Sequence, residues 1–104
     1  MGPIQRSDSR EAVVARMIVL LEEAIVAGCT LVVFPELCLT TFFPRWYMED
    51  AAEVASWFEH SMPNATTQPL FDCARAARVA ISFGYAEKTS EGPGFNTQVL
   101  TDPA

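Results

Sequence analysis

Lysine is almost missing from this chain. Lys88 stands alone, and the arginines are scattered along the sequence rather than clustered. With a formal net charge of −6 there is no basic stripe to track a phosphate backbone, so nucleic acid is excluded as a partner. The same charge opposes an anionic membrane surface. Long apolar runs are missing too. None approaches the roughly 20 residues of a spanning helix. The stretch from Gly2 to Arg10 is polar and holds no signal core, so neither secretion nor membrane insertion is expected. Histidine occurs once, as His60, and one histidine without clustered ligands makes no metal site. It reads as a surface or helix-capping side chain. Cys29, Cys38 and Cys73 show no CxxC spacing, which argues against both a zinc site and a disulfide framework. They read as reduced thiols of a cytoplasmic protein. A strained Gly-x-Ser-x-Gly turn is absent, and no helix follows Gly92 and Gly94 to make a phosphate cradle.

What is present suits one small globular domain. Half of the 104 residues are hydrophobic and 19% are charged. Asp8-Ser9-Arg10-Glu11 has the form of a capping box, with Asp8 as N-cap. Val14, Met17, Ile18, Leu21 and Ile25 then recur at helical spacing, and Gly28 closes the helix. Thr30 to Phe34 is a short apolar, β-branched run, expected to be a strand covered on both faces. Pro35 ends it. A loop over Leu37 to Trp46 precedes a second helical pattern from Glu49 to Glu59, broken by Met62-Pro63-Asn64. Thr66 or Thr67 caps a third helix that tolerates Pro69 in its first turn and packs through Leu70, Cys73, Ala74 and Ala77. Residues 79–101 read as a hairpin turning at Glu91-Gly92-Pro93-Gly94. This order implies an α/β layered fold. Three strands and two or three helices leave sheet edges and one sheet face open.

Glu36 is the residue on which the functional reading turns. A carboxylate at the end of a buried strand stands where α/β folds collect ligands. It is either a side chain that reaches water or a general base whose pKa is raised by a partly dry site. Cys38, two residues on, would share a face with Glu36 if the chain stayed extended, which allows a nucleophile–base pair or a small buried filler. Phe42, Phe43, Pro44, Arg45 and Trp46 form a bulky cluster. It would serve as a substrate pocket, with Arg45 offering a bidentate contact to a carboxylate, or as a packed loop or subunit contact.

The run Gly28 to Leu37, Gly-Cys-Thr-Leu-Val-Val-Phe-Pro-Glu-Leu, resembles the glutamate motif of the carbon–nitrogen hydrolase (nitrilase) superfamily. The stretch Leu39 to Trp46 is similar to N-carbamoyl-D-amino-acid amidohydrolases, as are Met62-Pro63, Pro69-Leu70-Phe71, Phe83 to Glu87 and Phe95-Asn96-Thr97. The resemblance implies part of an α-β-β-α sandwich, with residues 1–104 forming an N-terminal fragment of a single domain, truncated at both ends. It implies a Glu-Lys-Cys triad in which Glu36 is the general base. Phe42, Phe43, Arg45 and Trp46 become substrate-pocket candidates. The family's lysine and cysteine match neither Lys88 nor any of the three cysteines here, and would lie beyond Ala104. The implied reaction converts an N-carbamoyl-D-amino acid to the D-amino acid, ammonia and carbon dioxide. No metal or organic cofactor is implied, and the full-length protein is expected to be a homo-oligomer.

Overall fold

A computed structural model describes residues 9–35, 38–39, 58–89 and 94–103. Helix α1 spans Arg10–Val26 and strand β1 spans Leu31–Val33. Helix α2 spans Gln68–Ala77, and strands β2 and β3 span Ala80–Lys88 and Gly94–Leu100.

Helix α1 starts one residue later than the capping-box reading placed it. Ser9 is the N-cap, and its hydroxyl accepts from the Ala12 N–H at 3.1 Å. With Ser9 as cap the third helical position is Ala12, so Glu11 cannot close a capping box. Its carboxylate instead accepts from the Thr66 hydroxyl at 3.3 Å. The other end follows the expected chemistry. Gly28 takes φ +88°, its N–H donates to Ile25 O, and the Cys29 N–H reaches back to Ala24 O. These are the two bonds of a Schellman cap, and the positive φ is why glycine suits the position. Val13, Val14, Met17 and Leu21 carry the buried face.

The N-terminus of α2 is prepared by Asn64 rather than by a threonine cap. Thr67 holds the N-cap position but makes no side-chain cap bond. The Asn64 carbonyl Oδ1 accepts from the Thr66 and Thr67 N–H groups, while Thr67 Oγ1 accepts from the Asn64 N–H. This reciprocal arrangement satisfies donors that a helix end leaves free. Leu70 and Ala74 are buried, and Cys73 and Ala77 pack at the margin of the core.

The sheet order is β1-β2-β3, with β1 parallel and β3 antiparallel to β2. Residues 79–101 therefore contain the expected hairpin; its turn residues 90–93 lie outside the described residues. Both helices cover the face bearing Val32, Ile81, Phe83 and Tyr85. Phe83 is fully buried, with its ring 5.8 Å from Phe71 and 6.2 Å from Tyr85. The opposite face corrects the expectation for the first strand. Leu31 and Val33 are 52% and 66% exposed, so β1 is covered on one side. The parallel register puts them beside Ala80 and Ser82, and no described helix lies over that face. Leu100, paired with Ser82, is exposed there as well. The helix expected over 49–59 lies outside the described residues up to position 57, and Glu59 itself is an isolated bridge to β2 rather than a helical residue.

Candidate active site

Glu36 lies outside the described residues, and so do Phe42, Phe43, Arg45 and Trp46. The residues that hold the Glu36 segment at each end are described, and they define its frame. The Phe34 N–H donates to Ser82 O at 2.7 Å, and the Cys38 N–H donates to Gly84 O at 3.1 Å. Ser82 and Gly84 are consecutive acceptors on one edge of β2, since alternate carbonyls of a strand point the same way. A regular parallel ladder puts one residue between such anchors. Here Pro35, Glu36 and Leu37 all lie between them, two in excess. The residues that face β2 here are Thr30 and Phe34, so Pro35 lies on the alternate side, and its missing N–H removes no bond to β2. Phe34, Cys38 and Leu39 are buried at 5%, 1% and 2% exposure, which fixes both ends in the core.

The next acceptor on the same edge is Ala86, whose carbonyl takes the Glu59 N–H at 2.7 Å; the Lys88 N–H returns to Glu59 O at 2.8 Å. One edge of β2 is therefore used in turn by β1, by Cys38 and by Glu59. The Glu59 carboxylate is buried and bonded to Arg10 Nε at 2.6 Å. Glu87 accepts from Tyr85 Oη at 3.3 Å and from Thr97 Oγ1 at 2.9 Å. Burial, then the nearby Glu87 carboxylate, raises the Tyr85 hydroxyl pKa, so the phenol stays protonated. The Lys88 ammonium sits 5.8 Å from the centre of the Phe58 ring.

Cys38 is buried, at 1% exposure, which suits the small core filler better than the nucleophile of a nucleophile–base pair. Burial pushes its thiol pKa up to about 12, which leaves little of the thiolate that nucleophilic attack needs. Its side chain fills the core beside Phe34 and Leu39. Cys73 is half-buried, with its pKa raised by burial and then by the Glu22 charge. His60 is exposed at the bend after Glu59. Among the described residues no group of histidine, cysteine and carboxylate side chains is arranged to hold a metal. No helix among them is long and apolar enough to cross a membrane. A cleft lined by Gln68, Phe71, Asp72, Arg75, Val79 and Thr101 opens at the opposite end of β2 from Gly84 and Ala86.

Arg10 and Glu59 were not singled out by local sequence pattern. Helical spacing absorbed Glu59, and a pair 49 residues apart leaves no local signal.

A helix layer on a mixed three-stranded sheet, with the edge strand β1 followed in sequence by Phe-Pro-Glu, defines a layered α/β chain. The sequence profile of the carbon-nitrogen hydrolase family matches residues 2–104, and the chain belongs to that family. It is 31% identical over 98 residues to a cyanide hydratase of Penicillium rubens, covering 88% of this chain and 27% of that protein. A cyanide hydratase of Aspergillus niger is 31% identical over 101 residues, covering 90% and 28%. The chain thus spans little more than a quarter of these curated relatives. Among solved structures, an N-terminal amidase with a Gln-Val peptide superposes at TM-score 0.72 with 13% identity, over 96% of this chain and 23% of that one. A glutamine-dependent NAD+ synthetase from Acinetobacter baumannii superposes at 0.62 with 17% identity, over 97% and 18%. At these identities the structural likeness shows the fold, which is the nitrilase-like one.

Proposed function

We propose that this chain supplies the general base of an enzyme that hydrolyses non-peptide carbon–nitrogen bonds, and that Glu36 is that base. The observation that carries the reading is the broken ladder on β2. Phe34 and Cys38 are anchored on consecutive acceptors with Glu36 midway between them in sequence, just after strand β1. Phe34 and Leu39, two residues before it and three after it in sequence, are buried, and a carboxylate in a partly dry site is suited to a raised pKa and to proton transfer.

The substrate class we assign is an N-carbamoyl-D-amino acid. The support is the likeness of Leu39 to Trp46 to carbamoylases, with Phe42, Phe43 and Trp46 as apolar walls and Arg45 as partner for the substrate carboxylate. In this scheme a cysteine thiol outside these 104 residues gives its proton to Glu36 and attacks the carbamoyl carbon. Ammonia leaves after taking that proton. Glu36 then takes a proton from water, whose oxygen attacks the S-thiocarbamate, and returns that proton to the departing cysteine sulfur. The released carbamate falls apart to carbon dioxide and the D-amino acid. A lysine steadies the oxyanion at each attack. A homo-oligomer is the assembly this reading carries with it. A nitrile substrate is the second reading, favoured by the two cyanide hydratase relatives.

The test uses the full-length protein that carries this chain. Ammonia release is measured from N-carbamoyl-D-amino acids and simple amides, and for nitriles both ammonia and amide formation are measured, since hydration of a nitrile to its amide releases no ammonia. Glu36→Gln is expected to lower kcat by on the order of 10²–10⁴-fold on the accepted substrate. Loss of less than a few-fold would remove Glu36 from the base role. Preference for nitriles over carbamoyl compounds would select the second reading. The 104-residue chain by itself is expected to release no ammonia above a Glu36→Ala control, because a base with no activated thiol beside it has nothing to deprotonate.

A further inference from the structure

We propose that Arg10 and Glu59 are positioning residues, whose ion pair pins the chain back onto β2 beside the Glu36 segment and thereby sets substrate affinity. The proposal rests on the reading of Glu36 as the base. Cys38 leaves the β2 edge at Gly84 O, and Glu59 rejoins it at Ala86 O. Those two acceptors are two residues apart, about 6.7 Å along a strand. Residues 39–58 thus depart and return within one ladder step of each other, and the point of return is a neighbour of the Glu36 frame.

The return is weakly held by its backbone alone. Glu59 forms an isolated bridge, with one bond to Ala86 O and one from Lys88 N. Two such bonds contribute about 1 kcal/mol each net, which is little against the freedom of the segment they close. Of the two flanking residues His60 is exposed, while Phe58 is half-buried with its ring 5.8 Å from the Lys88 ammonium, a contact within the β2 side that does not reach α1. The carboxylate is what ties position 59 to a second element. It is 10% exposed and accepts a charge-assisted bond from Arg10 Nε at 2.6 Å. Arg10 is the first residue of α1, whose next turns are packed into the core by Val13, Val14 and Met17. The pair therefore ties the return point to a rigid element through a side chain, in register with the sheet.

Two measurements on the full-length protein test this. In steady-state kinetics, Glu59→Gln keeps the shape and removes the charge. It is expected to raise KM about tenfold with kcat within twofold of wild type, the signature of lost binding rather than lost chemistry. The reversed pair, Arg10→Glu with Glu59→Arg, is expected to recover most of that KM. An unchanged KM, or an equal fall in kcat and kcat/KM, would overturn the proposal. Amide hydrogen exchange supplies a readout that does not need activity. Glu59→Gln is expected to speed exchange at position 59 and at Lys88 by tenfold or more, with Ile81 and Phe83 unchanged. Uniform acceleration, or none, would show an ordinary stabilising contact and overturn the positioning role. If the wild-type protein turns over none of the three substrate classes, the Glu36 reading fails, and the exchange result alone then decides whether the pair pins the return.

Discussion

The two edges of β2 are built in opposite ways. Toward β3 the pairing is unbroken from Ser82↔Leu100 to Lys88↔Gly94, a hairpin ladder closed by Thr101. Toward β1 the pairing stops after three residues, and the remaining acceptors are taken by Cys38 and then by Glu59. The regular edge is made by neighbours in sequence and holds the sheet together. The interrupted edge collects distant segments, and it is the one that frames Glu36. Under the proposed role of Glu36, the irregular pairing is where the chemistry would gather, because a residue freed from the ladder can present its side chain to a substrate.

The most damaging way to break the comparison is to remove what both edges share. Phe83 is fully buried beneath the middle of β2 and touches the rings of Phe71 and Tyr85. Phe83→Ala is expected to cost about 3–5 kcal/mol, measured by urea unfolding, and to loosen both edges together. Amide exchange that rises on one edge alone would mean that the edges do not rest on a common core.

The difference between the edges also explains what could be read from sequence. The hairpin was legible because its strands are adjacent and its turn residues lie between them. Helix α1 was legible through Val14, Met17, Leu21 and Gly28, although Ser9 rather than Asp8 caps it. Both serine and aspartate are good caps, and only the position of the first turn decides between them. The Glu36 motif was legible as a strand ending in proline. The register across the interrupted edge was not, because Cys38–Gly84 and Glu59–Ala86 are contacts between distant segments with no periodicity to mark them. Exposure of Leu31 and Val33 was missed for a related reason. An all-apolar run of this length looks the same whether one face or two are covered.

A second, smaller effect sharpens the comparison at the interrupted edge through pH. Cys38 is buried with its pKa pushed up to about 12, against roughly 8.5 in an unfolded chain. Above pH 8.5 the unfolded state loses the thiol proton while the folded state keeps it. Stability is therefore unaffected by this group below that pH, and it falls as pH rises toward 12. The fall amounts to about 2 kcal/mol by pH 10. In Cys38→Ala the slope of unfolding free energy against pH should be shallower over this window. Levels are not the test, since the smaller side chain also loses packing. Identical slopes would mean that the thiol is hydrated, and that the anchor at Gly84 is looser than its burial implies.

The smallest effect belongs to the regular edge, at the point where it ends. The Thr101 N–H donates to Ile81 O at 3.0 Å, and its own hydroxyl accepts from the Ile81 N–H at 3.0 Å. One residue thus returns both bonds of the exchange that would otherwise need a further strand residue. Thr101→Val keeps the volume and the β-branched shape, and it keeps the backbone bond. It leaves the N–H of fully buried Ile81 without that acceptor, which costs about 1–2 kcal/mol. Urea unfolding should show this loss, with faster exchange at the Ile81 amide and unchanged exchange at Glu59 and Lys88. That selectivity follows from the separation of the two edges: Ile81 lies at the start of β2, and the Glu59 bridge lies at its end. If exchange at Glu59 and Lys88 rises as well, the ladder and the interrupted edge unfold as one unit, and the Glu36 frame draws its rigidity from the hairpin rather than from its own anchors.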